Sequence, residues 1–195
     1  MAFTTKVTRA EFATTWKRAL NAARRTVGKK PLDKEPSDSW KAKMLLAEHS
    51  PIRLVEYDIT FQDIKQWVTV HLVRHWLGFI PFVHSQREDR RKLDVPRDEL
   101  PQGALNDMDF SVNAQAMINI SRKRLCNKAS PDTKDAWQKV VKAVGEIDPI
   151  MAEKCVPNCV FRGFCPEMES CGYVNTQAYQ DALKKYRNTD YESNK

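Results

Sequence analysis

One stretch of the sequence brings together three side chains suited to proton transfer and anion binding: His71, Arg74 and His75. Their spacing of three and four residues predicts a shared helical face about one turn long. Two imidazoles and a guanidinium are not buried in a dry core without an anionic partner. One interpretation is therefore a phosphate site, with the arginine forking onto the anion and the histidines donating hydrogen bonds. The other is that Arg74 pairs with a carboxylate and the histidines are satisfied locally; a metal site is disfavoured, because Arg74 lies beside both imidazoles.

Two further polar groups flank apolar stretches. Ser85 and Arg87 follow the apolar run at 79–83, a pattern that by itself is typical of a polar turn leaving a strand. Asn113 and Asn119 lie in a segment predicted to be helical, with Arg124 five residues beyond the second. Asparagine is a poor helix former. Asn113 is explained as an N-cap, whereas Asn119 is not. One interpretation is that these asparagines and Arg124 bind a nucleotide. The alternative is that this part of the helix is a solvated basic surface.

The cysteines are concentrated near the C-terminus. Of five, four lie within 17 residues, at Cys155, Cys159, Cys165 and Cys171, and the fifth is Cys126. An odd count without a signal peptide favours a reducing compartment over a disulfide framework. Four thiolates are a ligand set for a structural zinc ion, since no coordination position is left open for catalysis. The usual pairs separated by two residues are absent, and the alternative is reduced thiols packed as small hydrophobes.

Composition limits the class of protein. The chain has 195 residues, 42% apolar and 29% charged, which is the composition of one globular domain or at most two small ones. A net charge of +7 favours anionic partners, among them nucleotides, phosphorylated cofactors and nucleic acid. No apolar run approaches the ~20 residues that span a bilayer, and the first residues show no signal-peptide core. We therefore expect no membrane association and a cytoplasmic protein.

Periodicity and capping residues predict an α+β pattern. The predicted helices are 9–27, 37–48, 63–75, 113–128, 131–144 and 179–186, with Thr8, Ser37, Asp63, Asn113 and Ser130 as caps. The predicted strands are 52–61, 79–83 and 109–112, the alternative for 79–83 being an extended turn around Pro81. Segments 28–36 and 87–103 and the cysteine-rich stretch are predicted to be loops, and the tail from Asn188 is predicted to fray.

Three stretches in this order resemble the flavin-dependent thymidylate synthases. They are HSPIRLVEYDITF (His-x-Ser/Thr-Pro in the family), HLVRHWLGFIPFVHSQR (Arg-His-Arg, then Ser-x-Arg) and NAQAMINISRKRLCNKASPDTKDAW (Asn-Ala-Arg, then Leu-Arg). The run from Cys159 to Glu167 is also similar to a tail of some members. The resemblance covers about residues 44 to 172. It implies a central antiparallel sheet flanked by helices in a domain at 37–175, between an N-terminal helix and loop at 1–36 and a C-terminal helix and tail at 176–195.

The resemblance also implies an activity. Family members methylate dUMP to dTMP with methylenetetrahydrofolate as carbon donor, FAD as hydride carrier and NADPH as reductant. They are homotetramers whose sites lie between subunits, and an arginine, in place of a cysteine nucleophile, polarises the uracil. By position that catalytic arginine is similar to Arg124. The substrate-binding positions correspond to His71, Ser85, Arg87 and Arg124. The FAD positions correspond to His49, Ser50, Arg74, His75, Asn113 and Asn119.

The sequence departs from the family pattern at several of these places. Trp76 stands where the third signature residue is arginine, Phe82 and Val83 where the signature has Asn-Glu, and Gln115 where it has arginine. Arg74 and Ser85 are separated by one residue more than in the usual form. Three other functions therefore stay open. The first is one-carbon transfer to another pyrimidine nucleotide, for synthesis of a modified base. The second is a nucleic-acid-binding module with a zinc-stapled cysteine loop, and the third is a scaffold that keeps the fold without turnover.

Overall fold

Four strands form a single antiparallel sheet at the centre of the protein. The computed structural model describes residues 5–92 and 95–191. The strands are β1 (Lys6–Thr14), β2 (Glu56–Lys65), β3 (Phe79–Val83) and β4 (Leu105–Asn113), in the order β1-β2-β4-β3. Every neighbouring pair is antiparallel. The predicted class, α+β with a central antiparallel sheet flanked by helices, is confirmed.

Eight α-helices and three short 3₁₀ helices are found in the described residues. The α-helices are α1 (Trp16–Thr26), α2 (Asp38–Leu46), α3 (Gln66–Val73), α4 (Ala114–Arg124), α5 (Pro131–Ile147), α6 (Pro149–Lys154), α7 (Asn158–Arg162) and α8 (Gln177–Arg187). The 3₁₀ helices are Ser50–Leu54, Arg97–Glu99 and Tyr173–Asn175. Within these residues no helix is long and apolar enough to span a bilayer.

The two central strands carry the core. Alternate residues of β2 and β4 point to the same buried face, because side chains alternate across a strand. These residues are Tyr57, Ile59, Phe61, Met108, Phe110 and Val112. Helix α5 covers that face, with Trp137 stacked on Phe110 at a centroid distance of 6.4 Å. The sheet and α5 therefore form a rigid base for the helices and loops that carry the polar residues.

The prediction of a helix over 9–27 was wrong in its first half. Residues 6–14 form β1 at one edge of the sheet, and the helix begins only at Trp16. Phe12 packs on Tyr57 of β2 at 5.2 Å between ring centroids. The four-residue spacing from Phe12 to Trp16 and Leu20 mimics a helical face, although Phe12 lies in a different element. Two register shifts in the β1–β2 ladder disturb the alternation that would have indicated a strand.

Asp63 does not begin a helix. It lies within β2 at a φ of 59°, beside a register shift between Phe61 and Ile64, and α3 begins at Gln66. Strand β4 is likewise longer than the predicted 109–112, since it starts at Leu105. Strand β3 lies where the sequence predicts it. Ser37 and Asn113 cap α2 and α4, and Pro131 occupies the first turn of α5, although Ser130 makes no side-chain cap.

A buried carboxylate ties the N-terminal segment into the core. The Asp148 carboxylate accepts hydrogen bonds from Trp16 Nε1 at 2.6 Å and from the Tyr57 hydroxyl at 2.7 Å. It also caps α6 through the Met151 amide at 3.1 Å. Trp16 and Ala19 of α1 therefore lie in the same buried core as the sheet residues.

The C-terminal part is more ordered than predicted. Helix α6 ends directly before Cys155, and α7 lies within the cysteine-rich stretch, for which the sequence predicts a loop. Buried Lys154 donates to the carbonyls of Tyr186 and Asn188 at 2.8 and 2.6 Å, and Ser39 Oγ exchanges hydrogen bonds with the Tyr191 backbone. The tail is therefore anchored as far as Tyr191. The rest of the predicted frayed tail, 192–195, and positions 93–94 of the charged loop lie outside the described residues.

Candidate functional site

Arg124 is held between α4 and the end of α3. Its Nε donates to His75 Nε2 at 2.9 Å, and one terminal nitrogen donates to the His71 carbonyl at 2.6 Å. His71 Nδ1 lies 2.9 Å from Thr133 Oγ1 of α5. A guanidinium carries five N–H donors, so these two contacts orient Arg124 and leave donors for a ligand. The structure therefore brings together the predicted catalytic residue and two predicted ligand-binding histidines.

The histidines in this cluster are uncharged at neutral pH. Burial, together with the positive charges of Arg124 and Arg74, lowers the pKa of His75 to about 4. The pKa of His71 is lowered for the same reasons. A neutral imidazole has one ring nitrogen free to accept, which is what the contact from Arg124 requires. Burial and the Arg74 charge also lower the pKa of Arg124, but a guanidinium remains protonated in proteins.

A cavity of about 170 Å³ opens beside this cluster. It is lined by Arg74, His75, Trp76, Leu77, Ala116, Asn119 and Ile120. Arg74 is exposed and makes no ion pair within residues 5–92 and 95–191. Of the two interpretations of the His71–His75 motif, the ion-paired one is therefore not found. A free guanidinium, an exposed Asn119 amide and the flat indole of Trp76 together present cationic, hydrogen-bonding and stacking surface to one ligand.

Asn113 has a structural role at the start of α4. Its side-chain oxygen accepts from the Ala116 amide at 2.9 Å, and its backbone amide donates to the Gly78 carbonyl at 2.9 Å. Gly78 has a φ of 74°, and a Cβ there would collide with the Asn113 side chain. This contact holds the 74–78 turn against the start of α4 and so positions Arg74 and His75.

A network that the sequence did not reveal positions His49 and Ser50. The Glu48 carboxylate accepts from Gln115 Nε2 at 2.6 Å and pairs with Arg122. The Arg122 guanidinium lies 3.4 Å from the ring centroid of Phe161. Glu48 thereby fastens the start of the 3₁₀ helix Ser50–Leu54 to α4, leaving His49 and Ser50 exposed next to it. The one feature of the sequence that pointed to this network was Gln115, which stands where the family pattern has an arginine.

Ser85 and Arg87 are not part of this cluster within one chain. They follow the far end of β3, whereas the 74–78 turn precedes its near end. Five strand residues span about 13 Å from first to last Cα at ~3.3 Å per residue. Arg87 forks onto the Asp89 carboxylate at 2.9 and 2.6 Å, and the Ser85 hydroxyl accepts from the Arg87 amide at 3.2 Å. The predicted residues thus divide into two exposed groups at opposite ends of β3.

An apolar surface lies between these two groups. Strand β3 forms an edge of the sheet, and its outward side chains Ile80 and Phe82 are 57% and 58% exposed. Trp76 and Leu77, just before the strand, are 73% and 67% exposed. Contiguous exposed apolar residues of this kind mark binding surfaces. An unpaired strand edge is also a site for pairing with another chain.

The four cysteines predicted as zinc ligands are not brought together. Cys155 is buried in the core, and burial raises the pKa of its thiol to about 12. The other three, Cys159, Cys165 and Cys171, line a different cavity together with Cys126. Among the described residues no three His, Cys, Asp or Glu side chains are gathered closely enough to hold a metal ion. Spacing along the chain did not reveal that Cys155, which directly follows α6, lies in the buried core.

Comparison with solved structures identifies the fold. The chain resembles a UMP/dUMP methylase, PolB, from Streptomyces cacaoi bound with 5-Br dUMP, with a TM-score of 0.62 and 12% identity over 83% of this chain and 95% of that one. It also resembles thymidylate synthase ThyX from Helicobacter pylori with FAD and dUMP, with a TM-score of 0.61 and 13% identity over 78% of this chain and 98% of that one. No protein-family profile matches, and no curated protein matches. The chain therefore has the fold of the flavin-dependent thymidylate synthases, as the sequence resemblance implies.

Proposed function

We propose that this protein is a flavin-dependent pyrimidine nucleotide methylase that converts dUMP to dTMP. Methylenetetrahydrofolate would supply the carbon and NADPH the reducing equivalents. The observation that carries the proposal is the Arg124 guanidinium, oriented by neutral His75 with donors to spare, in the fold of two enzymes crystallised with dUMP or a brominated analogue.

Arg124 would act as the electrophilic group. Its free N–H donors would bond a carbonyl oxygen of the pyrimidine and stabilise the negative charge that develops when the ring carbon attacks the one-carbon unit. Held on two fixed acceptors, the guanidinium needs little reorganisation when that charge appears. Because His75 is neutral, it adds no competing positive charge and keeps Arg124 aligned. No cysteine nucleophile is required in this scheme.

The residues around the 170 Å³ cavity fit a phosphorylated dinucleotide such as FAD. Within the part of the chain that the structure describes, Arg74 forms no ion pair, so its guanidinium is available to a phosphate, and Asn119, His49 and Ser50 present exposed hydrogen-bonding groups around α4. FAD, when bound, supplies hydride transfer. Trp76, in place of the family arginine, would offer an aromatic face to a planar ring, so the ring contacts would differ from those of the family.

Ser85 and Arg87 would hold the nucleotide phosphate from a second subunit. Both are exposed and lie about 13 Å or more from the near end of β3, so a single chain leaves the site divided. The apolar edge made by Ile80 and Phe82 supports an interface between copies. We therefore propose a homotetramer in which Arg87 releases the Asp89 carboxylate and binds the nucleotide phosphate instead. A zinc ion forms no part of the proposed site.

Two observations favour UMP as a second substrate. The Asn-Glu pair expected before the signature serine is Phe82 and Val83, and the first of the structural neighbours is a methylase of UMP as well as dUMP. Loss of two polar side chains next to the nucleotide would relax discrimination at the sugar. UMP is therefore the alternative substrate.

The test measures flavin binding and product formation in the same preparations. Purified protein should retain bands near 370 and 450 nm after dialysis, change them on titration with dUMP, and scatter light as a tetramer. Methylated product from dUMP and from UMP is then quantified by chromatography. Arg124→Ala should lower kcat by about 10²–10³ while flavin stays bound.

The matched control is Lys123→Ala, which removes an exposed cation from the next position of the same helix and should keep the parent kcat. A protein that retains no flavin and methylates neither nucleotide would contradict the proposal. Product from UMP alone would establish the second candidate. Binding of flavin and nucleotide without turnover would identify a scaffold that has kept the fold and lost the reaction.

A further inference from the structure

Most of the positive charge of the protein is carried by one short segment, residues 15–36. This segment contains seven lysines and arginines against two acidic residues, so +5 of the net charge of +7 lies within it. The rest of the chain is nearly balanced. None of these basic residues belongs to the site around Arg124, and a local excess of one sign attracts a partner of the opposite sign.

Helix α1 has one buried side and one basic side. Trp16, Ala19 and Leu20 are buried in the core. At 3.6 residues per turn, the four basic residues of the helix fall within an arc of about 120° on another side. They are Lys17, Arg18, Arg24 and Arg25. Because the apolar side is already covered, the basic side is what α1 presents to solvent.

The loop after α1 folds back along the helix and adds more cations. The Asn21 side chain bonds the backbone of Leu32 twice, donating to its carbonyl at 3.0 Å and accepting from its amide at 2.8 Å. Arg24 Nε donates to the Lys30 carbonyl at 2.7 Å, and the Lys29 amide donates to the Arg24 carbonyl at 2.9 Å. These contacts hold the exposed Lys29 and Lys30 beside the basic side of α1.

Only one of the seven cations is neutralised by a neighbour. Lys17 pairs with Asp33, a contact that also fastens the far end of the loop to the helix. The other six make no ion pair within residues 5–92 and 95–191, and we call them the basic face. They are Arg18, Arg24, Arg25, Lys29, Lys30 and Lys34.

An open groove of about 490 Å³ runs beside the basic face. Lys17, Arg18 and Arg25 line it, together with Asn21 and with Leu54 at the end of a 3₁₀ helix. Among the described residues that line the groove, none is acidic. Small ligands are usually enclosed by the pocket that binds them. An open groove with several cations is better suited to an extended anion that passes along the surface.

The chemistry of the segment distinguishes between extended anions. Its one aromatic residue, Trp16, is buried, so the segment has no exposed ring on which the bases of a single strand could stack. The apolar side of α1 is also buried, so the helix cannot insert into a lipid surface as interfacial helices do. The remaining candidate is a duplex, which exposes a continuous row of phosphates.

The length of the basic face fits a duplex. The Cα atoms of Lys17 and Arg25 are about 12 Å apart along the helix axis, at ~1.5 Å per residue. Double-stranded DNA of that length carries about seven phosphates, one per ~1.7 Å of axis. Arginine can fork onto a phosphate, and lysine can approach it as a point charge.

We propose that the basic face binds double-stranded nucleic acid through the phosphate backbone, without reading the base sequence. The basic face shares no residue with the flavin and nucleotide site. The proposal therefore stands or fails separately from the proposed function.

The test is fluorescence anisotropy with the full chain and a fluorescein-labelled DNA duplex of mixed sequence, over a range of salt concentrations. The expected dissociation constant is about 10⁻⁶–10⁻⁴ M at physiological salt, and binding should be tighter at low salt. If all six cations contact phosphates, the logarithm of the binding constant should fall against that of the salt concentration with a slope of about −5. An RNA duplex should bind comparably, because its backbone carries the same charge.

A pair of substitutions locates the contact, and a matched pair serves as control. Arg18→Gln with Arg25→Gln should make the slope shallower by about 2 and weaken binding by about tenfold or more at low salt. Lys142→Gln with Lys184→Gln removes the same charge from α5 and α8 and should keep the parent slope and affinity. All four side chains are exposed and make no ion pair in the described part of the chain, so circular dichroism should show parent-like melting.

Several results would overturn the proposal. One is a duplex that stays unbound at about 10⁻⁴ M protein and low salt. Another is an equal loss of binding in the two paired variants, which would show that net charge alone is sensed. Tighter binding to the separated single strand, or to phosphatidylglycerol vesicles, would assign the basic face to a different partner. Lys29→Gln with Lys30→Gln repeats the test on the loop and should also make the slope shallower.

Discussion

Protonation of His75 should weaken the folded protein on acidification, and this prediction follows directly from the Arg124–His75 contact. The pKa of His75 is lowered to about 4 in the folded state against 6.5 for the free side chain. Because the folded pKa is depressed, the unfolded chain binds the proton first as the pH falls. The stability that neutral His75 contributes is retained above pH 6.5 and is lost progressively as the pH falls toward 4.

The magnitude follows from the same two values. Between pH 7 and pH 5 the linkage amounts to about 1.8 kcal/mol for a fully buried group. His75 is only half-buried, so solvent screening reduces the expected loss to about 1 kcal/mol. At pH 5 the free imidazole would be protonated, while His75 would be held neutral at a cost in unfolding free energy.

The assay is urea denaturation followed by tryptophan fluorescence at pH 7 and pH 5, at one protein concentration. His75→Gln keeps an acceptor for Arg124 but cannot titrate, so its pH dependence should be smaller than that of the parent by about 1 kcal/mol. His49→Gln removes an exposed imidazole on another element and should keep the parent difference. Equal pH dependence in the parent and His75→Gln would refute the argument.

Two further predictions concern the framework that holds the site. Asp148→Ala should lower the unfolding free energy by about 2–6 kcal/mol, because two buried donors lose their acceptor at ~1–3 kcal/mol each. Thermal unfolding monitored by circular dichroism measures this loss, and a loss below about 1 kcal/mol would contradict the prediction. Gly78→Ala should destabilise more than Gly28→Ala, since both have a positive φ but a Cβ collides with Asn113 only at Gly78. Equal losses in the two alanine variants would show that backbone strain alone matters.

Much of the framework could be predicted because its signals are local. The caps at Ser37 and Asn113 depend on residues three positions apart, and β3 depends on five consecutive residues. The first segment could not be assigned in this way. The spacing of Phe12 and Trp16 is compatible with a helix, and only pairing with β2, more than 40 residues away, makes residues 6–14 a strand. A short stretch of sequence carries no signal of a contact with a strand so far along the chain.

The candidate site shows the same division between local and distant information. His71, Arg74 and His75 were selected by their helical spacing, although α3 ends at Val73 and only His71 lies within it. Arg124 was selected together with two nearby asparagines, and the family resemblance assigned its role. Glu48 and Gln115 gave no comparable signal, because a carboxylate and an amide 67 residues apart are ordinary surface residues until the fold joins them.

The cysteines make the distinction clearest. Cys155 was included among the predicted zinc ligands because it lies close in sequence to Cys159, Cys165 and Cys171. The fold instead buries Cys155 in the core and places Cys126 at the cavity that those three cysteines line. The fold decides which thiols face a common cavity: Cys155 directly follows helix α6 and lies in the buried core, whereas the turn after α4 brings Cys126 to the cavity. Burial also raises the pKa of the Cys155 thiol to about 12, so this sulfur stays protonated at neutral pH, a property that spacing along the chain does not reveal.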